Sequence, residues 1–260
     1  MDISQRLDKL WNADYIDDLP LFEGNESIKE RGYAFFDNRE KKDLLITGFN
    51  PSFRECESKG NICLPTTEIL RDTHHDNYWS RVRKMLHDQE IDLRSQATYL
   101  DIFYFREMKQ TFLKNKLLRK PEGIRFIVDQ LNLTMHTIEE VIQPKVIVVK
   151  NKESSAYFGK EVKTRGWIWM GYALEETCNT FCGKVYKITG LINSPKRIAP
   201  EITQTSLVGT LVLFTNHITQ HTKRETIPTA ELLYDLLKCY SEGMKSFPKK
   251  HLCSDQAQTE

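Results

Sequence analysis

Residues 44–52 read Leu-Leu-Ile-Thr-Gly-Phe-Asn-Pro-Ser, and this run limits the folds open to the chain more than any other. Four apolar or β-branched residues lead into a glycine and then into an Asn-Pro pair that cannot extend a strand. The pattern predicts a buried strand over 43–49 that delivers Asn50 into a tight turn at its carboxyl end. Two other runs share this character: Lys145-Val-Ile-Val-Val after Pro144, and Leu211-Val-Leu-Phe-Thr. Continuous apolar runs of this length suit parallel strands covered on both faces. A further strand is expected from Ala97 to Phe103.

Helical periodicity fills the intervals. Residues 3–13 and 26–36 read as amphipathic helices, with Leu7, Leu10 and Trp11 on one face of the first. Asn77, or Asp76 before it, caps a helix whose buried face carries Trp79, Val82 and Leu86. Pro121 opens a helical stretch to about Ile142, with a break expected near Asn132, and helices follow over 152–159 and 226–242. A long loop covers 50–76. The segment 165–192, with Trp167-Ile-Trp-Met and Lys184-Val-Tyr-Lys-Ile, reads as a β-hairpin inserted between the third and fourth strands. The expected fold is an α/β protein, a three-layer α/β/α sandwich around a central four-stranded parallel sheet. It is expected to form one domain over 1–243, followed by a disordered tail over 244–260.

A chain of 260 residues, 40% hydrophobic, suits one core of this size. Its formal charge of +1 gives no global field toward nucleic acid or membrane. Six cysteines form no CxxC pair, and Cys178 and Cys182 lack a second pair, so a zinc set is not expected. No run approaches membrane-spanning length and the amino terminus has no apolar signal core, which predicts a cytoplasmic protein with no membrane partner. P-loop, GxGxxG and GxSxG signatures are absent. Three strand ends bear polar residues on one edge: Asn50, Asp101 and the pair Asn216-His217. In open parallel sheets, ligands collect outside the carboxyl ends of the strands.

On these residues the chain resembles the uracil-DNA glycosylase superfamily. Gly48-Phe49-Asn50-Pro51-Ser52 is similar to the Gly-x-Asn-Pro first motif of its mismatch-specific and single-strand-selective branches. Asn77-Tyr78-Trp79 resembles the Asn-x-Phe-Trp segment that follows there. Pro144-Lys-Val-Ile-Val-Val, with Ala156 and Phe158 behind it, resembles the third strand and its helix. Asn216-His217-Ile218-Thr219 resembles the second motif. The likeness is colinear over about 40–240 without the hairpin. Ser52 replaces the usual glycine, Ile218 replaces the motif proline, and Gln220-His221 stand where a wedge leucine is common.

The resemblance implies a monomeric, monofunctional DNA glycosylase that uses no cofactor or metal. It would hydrolyse the N-glycosidic bond of an extruded pyrimidine, uracil or a mismatched or modified cytosine, and leave an abasic site. Asn50 would position the attacking water, and His217 would donate to the base carbonyl as negative charge develops. Gly48, Phe49, Pro51, Ser52, Asn77 and Asn216 would shape the substrate site, with Phe53 or Tyr78 stacking on the base. Thr219 would bind a flanking phosphate, reinforced by Lys223 and Arg224. Asp101 stands where uracil-specific members often place an asparagine. A protonated carboxyl there would donate to N3 of cytosine and accept from its amino group, a substrate such as the modified cytosines of phage genomes. The bland alternative is that Asp101 caps a loop or pairs with Arg106. Repair and antiviral defence share this chemistry. An inactive nucleic-acid-binding module on the same fold, or a small-molecule hydrolase or transferase with a similar sheet, remain alternatives.

Overall fold

The computed structural model describes residues 2–54, 57–71, 77–160, 166–219 and 221–253, the side chains of Asn77 and Tyr78 excepted. Its strands in chain order are β1 (Ala34–Phe36), β2 (Leu44–Gly48), β3 (Ile62–Leu64), β4 (Ala97–Asp101), β5 (Val146–Val149), β6 (Tyr172–Thr180), β7 (Gly183–Leu191) and β8 (Leu211–Thr215). The α-helices are α1 (Ile3–Trp11), α2 (Ile28–Arg31), α3 (Thr66–Arg71), α4 (Asn77–Leu86), α5 (Thr111–Asn115), α6 (Pro121–His136), α7 (Ser154–Phe158) and α8 (Ala230–Glu242).

The main sheet has six strands in the order β4-β2-β5-β8-β7-β6. The first four run parallel, with Leu44 level with both Ala97 and Val146, and Val146 level with Leu211. Alternate residues of these strands enter two separate cores. Leu45, Ile147 and Val212 face one side, with Leu7 of α1 and Phe126 and Ile127 of α6. Leu44, Ile46, Val146, Val148, Leu211 and Leu213 face the other, with Val82 and Leu86 of α4 and Leu232 and Leu236 of α8. Burial of this apolar surface on both faces is the main stabilising term, at roughly 25 cal/mol per Å² removed from water.

Several expectations are corrected. The predicted helix over 26–36 splits: α2 ends at Gly32, whose φ of +76° turns the chain into β1. The run Tyr33-Ala-Phe-Phe then pairs with the 50–76 segment instead of continuing a helix, because aromatic residues favour a pleated surface. That supposed loop contains β3, parallel to β1, and α3. No break occurs at Asn132; its buried side chain accepts a hydrogen bond from the Glu201 amide, and the helix runs on to a π-helical turn at Thr137–Ile142.

The hairpin β6–β7 is part of the main sheet, because β7 pairs antiparallel with β8 and makes the sheet mixed. Within 166–171, Met170 is buried and Trp167 is exposed. Among the described residues no helix is long and apolar enough to cross a membrane.

The expected disordered tail is ordered over 244–253. Met244, Phe247 and Leu252 pack on the second core. The Cys253 amide donates to Asn179 O at 3.1 Å, and buried His251 meets buried Asp235 with Nε2 2.9 Å from Oδ2. Apolar residues spaced between the lysines anchor a segment whose overall composition looks like a solvated tail. His251→Ala leaves the Asp235 carboxylate without this partner. It is expected to cost about 1–3 kcal/mol, read as a lower Tm by differential scanning calorimetry.

Candidate functional site at the strand ends

The two-residue alternation of each strand decides what gathers at the carboxyl edge. Tyr99 and Asp101 of β4 project on the α4/α8 side, as Tyr99 belongs to that core. Gly48 is level with Asp101 on β2. Lys150 continues the Val146, Val148 register just past β5, and His217 follows β8. Neighbouring strand ends thus present Asp101, a bare glycine, Lys150 and His217 in order.

Gly48 makes this arrangement sterically open. A Cβ there would overlap Asp101 Oδ1 and the Tyr99 hydroxyl, so those groups lean over β2 into space that any other residue would fill. Asp101 is buried, and its Oδ1 accepts from the Tyr99 hydroxyl at 3.1 Å. Burial pushes its carboxyl up to about 6, against the opposing pull of the Lys150 charge and the Tyr99 hydrogen bond. The proposed pairing with Arg106 does not occur; that guanidinium bonds to Ser58 O, Gly60 O and Glu57 Oε2.

Lys150 is 4% exposed, with Nζ 5.4 Å from the centre of the Tyr99 ring. Its backbone carbonyl accepts from the Ile218 amide at 3.1 Å, tying the end of β5 to the turn that carries His217. Asn151, also buried, orients that histidine. Its Oδ1 accepts from the Glu153 amide at 2.8 Å, which turns Nδ2 toward His217 Nδ1 at 3.1 Å. Nδ1 is therefore the acceptor and Nε2 carries the hydrogen. The imidazole pKa is lowered, first by desolvation and then by Lys150, although the residue as a whole is exposed. His217 is thus a neutral ring with a defined Nε2–H donor.

Asn50 is half-buried two residues past Gly48. Its Nδ2 donates to Glu107 O at 2.6 Å, to Pro51 O at 2.9 Å and to Phe105 O at 3.4 Å. The amide nitrogen thereby clamps the turn to the segment after β4, which also pairs with it through Phe103 N–H to Phe49 O. Among the described residues Oδ1 receives no hydrogen bond, so the oxygen is the atom left for chemistry.

Other predicted residues separate from this cluster. The Phe49 ring is buried in the opposite core, edge-to-face with Phe103 at 5.2 Å, so its side chain does not form the site. Pro51 is buried and Ser52 exposed. Phe53 is occupied as a stacking surface, its ring lying 4.5 Å from the Arg31 guanidinium and 4.8 Å from that of Arg106. Asn77 and Tyr78 open α4, and their side chains lie outside the described residues. Trp79 beside them packs edge-on to Tyr99 at 4.8 Å.

Asn216 is exposed, its carbonyl accepting from Thr215 Oγ1. Thr219 closes a small turn, with its amide on Thr222 Oγ1 at 2.8 Å and its Oγ1 accepting from the His221 amide at 3.1 Å. Lys223 and Arg224 follow on the surface. Cavities of about 930 and 610 Å³ lie elsewhere, one lined by Phe22, Arg31 and Phe53, the other by Arg6, His136 and Glu201. Neither includes Asp101, Lys150 or His217. We take the strand ends as the site, because there the polar groups converge and burial shifts their protonation. Among the described residues no cluster of His, Cys, Asp and Glu suits a metal ion.

Sequence reasoning missed Tyr99, Lys150 and Asn151. A lysine after Val-Ile-Val-Val reads as a solvated strand end, yet its register with Val146 and Val148 was the available signal. No protein-family model matches this chain, and no curated protein matches it.

Proposed function

We propose that the protein is a monofunctional DNA glycosylase that hydrolyses the N-glycosidic bond of an extruded pyrimidine, on an α/β/α sandwich of the uracil-DNA glycosylase kind. One observation carries the reading: a neutral Nε2–H donor on His217 and a carboxyl of raised pKa on Asp101 stand on one face of the sheet's carboxyl edge, at the two ends of a row of four strands with Gly48 and Lys150 between them. A departing base needs a preorganised donor at its carbonyl oxygen and an edge reader on its other side. In this reading His217 supplies the first and Asp101 the second. The Oδ1 of Asn50, which receives no hydrogen bond among the described residues, accepts a hydrogen from the attacking water and aims its oxygen at C1′. Thr219, Lys223 and Arg224 meet the flanking phosphates.

The substrate that fits Asp101 best is a cytosine derivative, because a neutral carboxyl donates to N3 and accepts from the amino group. The test is single-turnover base release from single- and double-stranded oligonucleotides that carry uracil, mismatched thymine, cytosine, hydroxymethylcytosine or glycosylated cytosine. Release from at least one of these is expected, and His217→Ala should slow it by about 10²–10³-fold. The clamp made by the Asn50 amide nitrogen favours a second reading, a binding module in which Asn50 is purely structural. DNA binding without release from any substrate would decide for that reading.

A further inference from the structure

Asp101 and His217 stand on β4 and past β8, the outer two of four adjacent parallel strands, and Lys150 lies between them. Of these three groups only Lys150 bears a charge when Asp101 holds its proton, since His217 is neutral. The ammonium is buried against the Tyr99 ring, where a charge interacts far more strongly than in water. Its field already reaches both neighbours, opposing the rise that burial imposes on the Asp101 carboxyl and adding to the lowering that burial imposes on His217. Positive charge held at the centre of a polar strand-end cluster suits a ligand that becomes negative there. A pyrimidine has this property on leaving C1′, and its O2 and its 4-amino nitrogen or O4 flank N3 along one edge of a flat ring. Gly48 lacks the Cβ that would displace the Asp101 carboxyl and the Tyr99 hydroxyl, which lean over β2 on the side of Lys150.

On the glycosylase reading above, we infer that Lys150 is a further catalytic residue: its ammonium meets the carbonyl edge of the extruded base and takes up the charge of the departing anion, while Asp101 holds the amino edge across Gly48. The C1′–N bond breaks with both electrons going to the base. Water oxygen bonds to C1′, and the proton it releases ends on the departed base, so one water is consumed for one free base and one abasic site. Lys150 remains an ammonium throughout. His217 and Lys150 then share the developing charge, a neutral donor beside a cation.

Single-turnover release is to be measured for wild type, Lys150→Met, Lys150→Gln and Lys150→Arg. The substrates are a series of 5-substituted pyrimidines whose leaving-group acidity increases stepwise, with Tm recorded for each variant. If Lys150 stabilises the anion, removing its charge should cost about 10²–10³-fold for the poorest leaving group and progressively less as the base becomes a better one. Lys150→Arg should recover most of the loss, because the charge is kept. Lys150→Gln keeps a donor without charge, so it reads the same term if Lys150→Met fails to fold. A uniform loss along the series, or no loss, in a folded variant would overturn the inference and leave the glycosylase reading standing. No release by wild type from any substrate would overturn both.

Discussion

Asp101→Asn is expected to exchange cytosine-type substrates for uracil. Below about pH 6 the carboxyl of Asp101 is protonated and presents one donor and one acceptor, matching N3 and the amino group of cytosine. An asparagine amide presents an acceptor to N3–H of uracil and a donor to O4. Each correct two-point contact is worth about 1–3 kcal/mol of discrimination, so the preference should shift by about 10–10⁴-fold when both substrates are compared. With Asp101 titrating at about 6, cytosine-type release by wild type should be flat below that pH and fall about tenfold per unit above it. Uracil release by Asp101→Asn should lack this limb. Paired pH–rate profiles on the two substrates check both statements.

The same carboxyl has a stability signature of definite sign. Its folded pKa lies above the unfolded value, so between about pH 4 and 6 the folded state holds a proton that the unfolded state has lost. Stability contributed by this group is therefore full below the unfolded pKa. It declines as pH rises through about 6, by a total on the order of 3 kcal/mol. Urea unfolding across this range should show the decline in wild type and its disappearance in Asp101→Asn.

Asn50→Asp is expected to be more damaging than Asn50→Ala, although it is closer in shape. The Nδ2 of Asn50 faces the carbonyl oxygens of Pro51, Phe105 and Glu107. An aspartate would direct a charged oxygen at those acceptors and also leave them without a donor. Removal of a satisfied partner costs about 1–3 kcal/mol, and more for a charged group. Alanine pays only the first part of this. Both variants lose the Oδ1 geometry and should slow base release by about 10²–10³-fold, but only the aspartate should show a much lower urea midpoint. Equal midpoints would mean that the clamp contributes little to the turn.

The parallel strands β2, β5 and β8 were legible because each is a continuous apolar run, as burial on both faces requires, whereas β4 ends at Asp101, two residues before the expected Phe103. The short parallel pair β1–β3 was not, since three-residue strands carry too little periodicity to outweigh helical spacing in 26–36. At the site, Gly48, Asp101 and His217 could be placed by strand-end position alone. Lys150 and Asn151 needed the side-chain register, because a charged residue after a buried strand is ordinarily solvated. Phe49 and Phe53 misled for a related reason. A motif gives the place of an aromatic residue in the chain, whereas its partners, Phe103 in one case and two arginines in the other, come from distant segments.

The hairpin on β8 has a dynamic consequence. Without β7, the strand leading to His217 would be an outer strand, free to fray at its end. With Thr215 level with Gly183, and Leu252 bridging back to Thr180, that strand opens only if a hairpin and the carboxyl-terminal segment peel away together. Amides of 211–215 should accordingly exchange with solvent only through near-global unfolding. The histidine donor then sits two residues beyond a strand that both of its neighbours hold in place.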